Sequence, residues 1–174
     1  MANRTVLFLD VDGVLNPYKA QHAPRSWNRT WRKETSPGGT RIWVNRQLGE
    51  TLATLDCDIV WATSWCRHPT DLDWLEQTLT VGPWERLDWA ATEDAHSRNC
   101  MKRPAVERYL DGTDRAAVWV DDELGAEDLD FVTRRRQKAP IAAYAPHADR
   151  GLDDQTIEAI RNFINENSST HLNG

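Results

Sequence analysis

The stretch FLDVDGVLNP, Phe8 to Pro17, decides how the rest of the chain is read. It continues a run from Thr5 to Leu9 that is apolar at every position after its first, the pattern of a strand buried on both faces of a parallel sheet. That run ends at two carboxylates, Asp10 and Asp12, followed at once by Gly13. Side chains of a strand alternate faces with period two, so acids spaced by two point the same way and repel each other. Something must offset that repulsion.

Outward from this stretch, strand-like runs alternate with helix-like ones. Asp58 to Ala62 is a second buried run and ends at Thr63 and Ser64; Ala117 to Val120 is another and runs into Asp121 and Asp122. Ile141 to Ala145, bracketed by Pro140 and Pro146, reads as the last strand, and Arg86 to Trp89 is a weaker strand candidate. Leu48, Leu52 and Leu55 mark a helix. A further helix is expected to open at Thr70 as N-cap, with Asp73 three residues on and Leu72, Leu75 and Leu79 along one side. Pro104 suits the first turn of the next helix, which carries Val106, Tyr109 and Leu110, and Ile157, Ile160, Phe163 and Ile164 line a closing one. The alternation predicts an α/β fold: a doubly wound, Rossmann-like three-layer sandwich with a mainly parallel central sheet. One domain is expected over residues 1–164, with a short flap insert at 16–42 and a flexible polar tail at 165–174.

In such sheets ligands bind beyond the carboxyl ends of the strands. That is where this chain keeps its polar residues, so three strand ends would bring four carboxylates and two hydroxyls to one crevice. Four acids that close need a cation, and hard oxygen ligands with water and a phosphate completing the shell suit Mg²⁺. A calcium loop is a poor alternative, because placing Gly13 sixth puts Phe8, which has no oxygen ligand, first. Each remaining piece also has a plain structural reading: Thr63 and Ser64 as helix caps, Lys102 as a solvated lysine with Arg98 and Arg103 as its rivals, Asp121 and Asp122 as loop residues.

Taken together and in this order, the residues resemble the haloacid dehalogenase superfamily, most of whose members are Mg²⁺-dependent phosphatases with an aspartate nucleophile. Asp10-Val11-Asp12-Gly13-Val14-Leu15 looks like its first motif, Thr63 its second, Lys102 its third, and Asp121-Asp122 its acidic fourth. The resemblance implies that Asp10 attacks the phosphoryl group and becomes an aspartyl phosphate, while Asp12 serves as general acid and then base. It also implies Mg²⁺ held by Asp10, the backbone carbonyl of Asp12, and Asp121 or Asp122, with Thr63, Ser64 and Lys102 on the substrate phosphate. An acid at the position of Asp12 suits a phosphatase; a dehalogenase would need neither it nor the metal acids. A phosphotransferase would use the same residues, and a catalytically idle binding module of the same fold remains the alternative of a different class.

Composition bounds the setting. The chain has 174 residues, is 40% hydrophobic and 28% charged, and carries a formal net charge of −6, as a soluble globular domain does. It shows no apolar run long enough to cross a bilayer and no signal-like start, so a cytoplasmic protein without a membrane partner is expected. Cys57, Cys66 and Cys100 have neither paired nor zinc-ligand spacing and read as free thiols. No obligate protein partner is evident.

The insert after the first motif departs from this acidic balance. From Tyr18 to Arg46 the chain carries Lys19, Arg25, Arg29, Arg32, Lys33, Arg41 and Arg46 against the single acid Glu34, interleaved with Tyr18, Trp27, Trp31 and Trp43. If these groups stand beside the phosphate, Arg29 and Arg32 can fork onto phosphate oxygens and the indoles can stack on bases, favouring a nucleotide or a nucleic-acid end over a sugar phosphate. The plain alternative is a solvated basic loop whose tryptophans pack inward.

Overall fold

The computed structural model describes residues 4–88 and 102–168. Five parallel strands form its central sheet: β1 (Val6–Leu9), β4 (Asp58–Trp61), β5 (Glu85–Arg86), β6 (Ala117–Val120) and β7 (Ile141–Tyr144), in spatial order β5-β4-β1-β6-β7. A separate antiparallel hairpin pairs β2 (Arg32–Thr35) with β3 (Arg41–Val44).

The alternation of side chains along the strands sorts the core into two halves. Leu7, Leu9, Ile59, Trp61, Val118 and Val120 face one side, where they meet Leu48 and Leu52 of α1 (Arg46–Ala53), Leu72, Leu75 and Leu79 of α2 (Pro69–Leu79), and Ile157, Ile160 and Ile164 of α5 (Asp154–Ser168). Val6, Phe8, Val60, Ala117 and Trp119 face the other, against Ala105, Val106 and Leu110 of α3 (Arg103–Leu110) and Val132 of α4 (Ala126–Arg135). Because β1, β4 and β6 are covered on both faces, nearly every residue in them is apolar. The result is the expected three-layer, Rossmann-like sandwich.

Topology places the site. The chain leaves β1 for β4 and β5 on one side, then returns to β6 and β7 on the other, so the strand order reverses around β1. That reversal opens a crevice at the carboxyl ends of the central strands, and Asp10, Thr63 and Asp121 lie immediately beyond β1, β4 and β6.

Several boundaries differ from the sequence reading. Helix α2 starts at Pro69, with His68 rather than Thr70 in the cap position, because the fixed φ of proline suits a first helical residue. The closing helix runs on through Asn165 to Ser168, where a flexible tail was expected. Strand β5 is confined to Glu85–Arg86, and Trp89, the far end of the expected strand, lies outside the described residues, as do Arg98 and Cys100.

Helix α4 and the hairpin were not anticipated. The buried residues of α4 are Asp128, Val132 and Arg135, which give no apolar stripe to read. Arg135 acts as a staple, donating to the carbonyls of Leu110 (3.1 Å), Thr113 (3.0 Å) and Arg115 (3.2 Å) at the end of α3. Among the described residues no helix is long and apolar enough to cross a membrane.

Candidate active site

The loop after β1 is built around the Val11 carbonyl, which accepts from the backbone N–H groups of Leu15 and Asn16, each at 2.8 Å. Gly13 sits there at φ +74°, and a Cβ on it would come within 2.0 Å of Asp122 Cγ. Only glycine meets both demands, the left-handed backbone and the close approach of a carboxylate from the loop after β6. The loop is braced from the far end of the chain, since the Leu152 N–H donates to the Val14 carbonyl at 2.8 Å.

Within this frame the predicted residues converge. The Lys102 ammonium, buried at the start of α3, donates to Asp10 Oδ2 and, at 2.6 Å, to Asp121 Oδ2. The other Asp10 oxygen accepts from the Val11 N–H (2.7 Å), and the other Asp121 oxygen from the Glu123 N–H (2.9 Å). Burial pushes the Asp10 carboxyl well above the usual range, Asp121 adds to this, and Lys102 and the Thr63 hydroxyl pull it partly back. Burial alone would lower the Lys102 pKa, but the Asp10 and Asp121 carboxylates more than reverse it and keep the ammonium charged. Asp122 is raised to about 6 by burial and by its neighbours Asp121 and Glu123.

Asp10, Asp121 and Asp122 each offer a carboxylate oxygen, all within 4.8 Å of one another. Among the described residues, Lys102 is the cation in contact with this cluster, pairing with Asp10 and Asp121, and the three acids gather in a largely buried space. A small divalent cation offsets their mutual repulsion, and hard carboxylate oxygens are the donors Mg²⁺ prefers. The space that Gly13 leaves for Asp122 completes the cradle, so the residues fit the ion.

The Asp12 carboxylate stays outside this cluster, as suits a residue whose expected metal ligand is its backbone carbonyl. Its Oδ1 accepts from Asn16 Nδ2 (2.7 Å) and its Oδ2 from the Trp65 indole N–H (2.9 Å). Neither donor was singled out as part of the site from sequence. Asn16 was placed only as the first residue of the 16–42 insert, and Trp65 was given no role; the signal that could have found them is their position, each a few residues past a motif strand.

Thr63 is fully buried and caps a 3₁₀ turn (Ser64–Arg67), its hydroxyl accepting from the Trp65 N–H at 3.4 Å. Thus the cap reading holds, and the same hydroxyl also stands within hydrogen-bonding reach of Asp10. Ser64 is exposed at the rim. Arg103, the described rival of Lys102, is committed elsewhere, to Glu127 at 3.0 Å. Cys66 is half-buried, with its thiol on the Trp61 carbonyl at 3.5 Å, while burial pushes the Cys57 thiol up to about 12.

The stretch from Tyr18 to Arg46 divides in two. Its seven cations, Arg29 and Arg32 among them, are all exposed. Its tryptophans turn inward, correcting the expectation of a stacking surface: Trp27 and Trp31 are core residues, and the Trp27 indole donates to the Leu152 carbonyl at 2.9 Å. Trp43 is half-buried beneath the Lys33 ammonium, which lies 4.7 Å from its ring. Tyr18, 46% exposed, is the aromatic side chain left on the surface of the insert.

A parallel sheet with acids at the ends of β1 and β6, a buried lysine between them and a hydroxyl at the end of β4 defines a phosphatase-like hydrolase domain of the haloacid dehalogenase superfamily. More narrowly, the chain matches over residues 6–157 the family described as the HAD domain in Swiss Army Knife RNA repair proteins, and it belongs to that family. Searches of curated proteins and of solved structures found no match.

Proposed function

We propose that this chain is a Mg²⁺-dependent phosphomonoesterase that removes terminal phosphate from RNA through an aspartyl-phosphate intermediate. One observation carries the reading: Asp10, Lys102 and Asp121 are in direct contact at the carboxyl ends of the central strands, with Asp122 close enough to share an ion.

In this reading an Asp10 oxygen attacks phosphorus in line, and the bond to the leaving oxygen breaks with its electron pair. Asp12 gives that oxygen a proton, then takes one from the water that displaces Asp10 and releases phosphate. Lys102 and the Thr63 hydroxyl hold the equatorial oxygens of the transferred group, with Ser64 at the rim. Asp10, Asp121 and Asp122, with the Asp12 backbone carbonyl, would hold Mg²⁺, which would supply charge neutralisation at the phosphoryl oxygens. Without such neutralisation a carboxylate and a phosphate monoester repel each other.

Two findings support RNA as the substrate class. The family is one of RNA repair proteins, and the exposed cations of the insert sit on an otherwise acidic chain. Such a patch attracts a polyanion, and Tyr18 offers one exposed ring for a base.

The test is a phosphate-release screen across 5′- and 3′-phosphorylated RNA and DNA oligonucleotides, nucleotides and sugar phosphates, with and without Mg²⁺. RNA ends should have the highest kcat/KM, and only with the metal. A sugar phosphate as the best substrate would replace the RNA reading with that of a metabolite phosphatase.

A further inference from the structure

We propose that Trp65 and Asn16 are positioning residues for Asp12, and that Asn16 makes its geometry depend on the seating of the β2–β3 hairpin. The proposal rests on the reading of Asp12 as general acid and base. A carboxylate that transfers a proton must be held at a fixed distance and angle from the leaving oxygen, because small displacements there cost large factors in rate. Asp12 is only partly buried and stands on a loop, where a side chain is free to rotate unless something fixes it.

Two N–H donors do so, one on each oxygen: Asn16 Nδ2 at 2.7 Å and Trp65 Nε1 at 2.9 Å. Both come from rigid, buried groups, Asn16 being 2% exposed and Trp65 7% exposed. Two donors on two oxygens fix the plane of the carboxyl group as well as its position. Each oxygen keeps a further lone pair, so the group can still carry and release a proton.

Asn16 has a second bond. Its Oδ1 accepts from the Trp43 backbone N–H of β3 at 3.0 Å, so one amide side chain bridges the hairpin and the acid. The hairpin is tied down again at its turn, where the Gly38 N–H donates to Asp71 Oδ1 at 2.7 Å, at the start of α2. A substrate that presses on the hairpin therefore acts on Asp12 through a single intervening side chain. An indole N–H at position 65 and an amide at position 16 are the groups this geometry requires: both donate, and only the amide can accept at the same time.

The experiment compares kcat/KM for glycerol 2-phosphate, whose alkoxide leaving group needs a proton, with that for p-nitrophenyl phosphate, whose leaving group needs little. This constant reports the step up to the first phosphoryl transfer, so it isolates the acid role of Asp12. Trp65→Phe keeps an aromatic ring and deletes the indole N–H; Asn16→Ala deletes the bridge. Each should lower the alkyl-to-aryl ratio by roughly tenfold, part of the hundredfold or more that general acid catalysis supplies. A variant that merely folds less well lowers both constants together and leaves the ratio unchanged. Asp12→Asn, measured alongside, separates the two claims. If it shifts the ratio while Trp65→Phe and Asn16→Ala do not, the positioning proposal is overturned and the acid reading stands; if Asp12→Asn leaves the ratio alone, both fall.

Discussion

Gly13 and Asp122 share one small space, for a Cβ on the glycine would lie 2.0 Å from the aspartate Cγ. The glycine of the first motif is therefore a requirement set by the fourth, more than a hundred residues away. Gly13→Ala should push Asp122 out of the acid cluster and force alanine into the left-handed backbone at φ +74°. We predict at least a tenfold weaker Mg²⁺ affinity by calorimetry and a stability loss of about 1–3 kcal/mol from local strain. Unchanged metal affinity would mean that Asp122 is not a ligand.

Lys102 is the only cation in direct contact with Asp10 and Asp121 among the described residues. Lys102→Met removes the charge that Asp10 and Asp121 share, and losing one partner of a buried ion pair costs on the order of 3–5 kcal/mol. The variant should be inactive, and Mg²⁺ should raise its Tm by more than it raises that of the parent, since the ion then takes over charge compensation that Lys102 supplies to Asp10 and Asp121. Equal shifts would show that the ion binds elsewhere.

Arg29 ends a turn in which Trp27, Asn28 and Arg29 have φ of 56°, 51° and 63°, all left-handed and none glycine. Such residues are strained, and the turn persists because the Trp27 ring is buried and the Thr30 hydroxyl holds the Trp27 carbonyl at 2.8 Å. Arg29→Gly should stabilise the fold by about 0.5–1 kcal/mol in thermal melts. If Arg29 meets RNA phosphates, the same change should raise KM for a phosphorylated oligonucleotide and flatten its salt dependence, with a smaller effect on p-nitrophenyl phosphate. A parental KM with the expected gain in stability would remove Arg29 from the RNA-binding surface.

Glu76 is a buried acid of α2 that serves the fold. Its Oε1 accepts from the Trp61 indole N–H at 2.7 Å and from the Trp84 backbone N–H at 3.0 Å, joining β4 to the segment that leads into β5. Glu76→Leu should cost about 2–4 kcal/mol by denaturant titration, because it leaves both donors buried and unpaired. Activity per folded molecule should stay at the parental level; a selective loss of activity would show that Glu76 reaches the site.

How much of this was legible in the sequence follows from what each residue answers to. Strands β1, β4 and β6 could be read because burial on both faces leaves an unbroken apolar run, and Asp10, Thr63 and Asp121 because they follow those runs; Lys102, at the start of α3, was legible only through the family resemblance. Hairpin β2 could not, since Arg32, Lys33, Glu34 and Thr35 are all exposed and show no alternation. Helix α4 was hidden by its own function in packing, with Arg135 and Asp128 buried where an apolar stripe would be sought. Asp12 was recognised, but its holders were not: Trp65 Nε1 is 53 residues away along the chain, and a hydrogen bond across that distance leaves no local pattern. The tryptophans of the insert illustrate the reverse case, where composition suggested a stacking surface and the need to bury large rings decided otherwise.

The central claim is that Asp10 is the nucleophile of a metal-dependent phosphatase acting on RNA ends. The most direct measurement is phosphate release from a phosphorylated RNA oligonucleotide by the parent and by Asp10→Asn, each with Mg²⁺ and with EDTA. The account predicts release by the parent in Mg²⁺, none in EDTA, recovery when the metal is returned, and none from a folded Asp10→Asn variant under any condition. Turnover by Asp10→Asn, or by the parent in chelator, would contradict it.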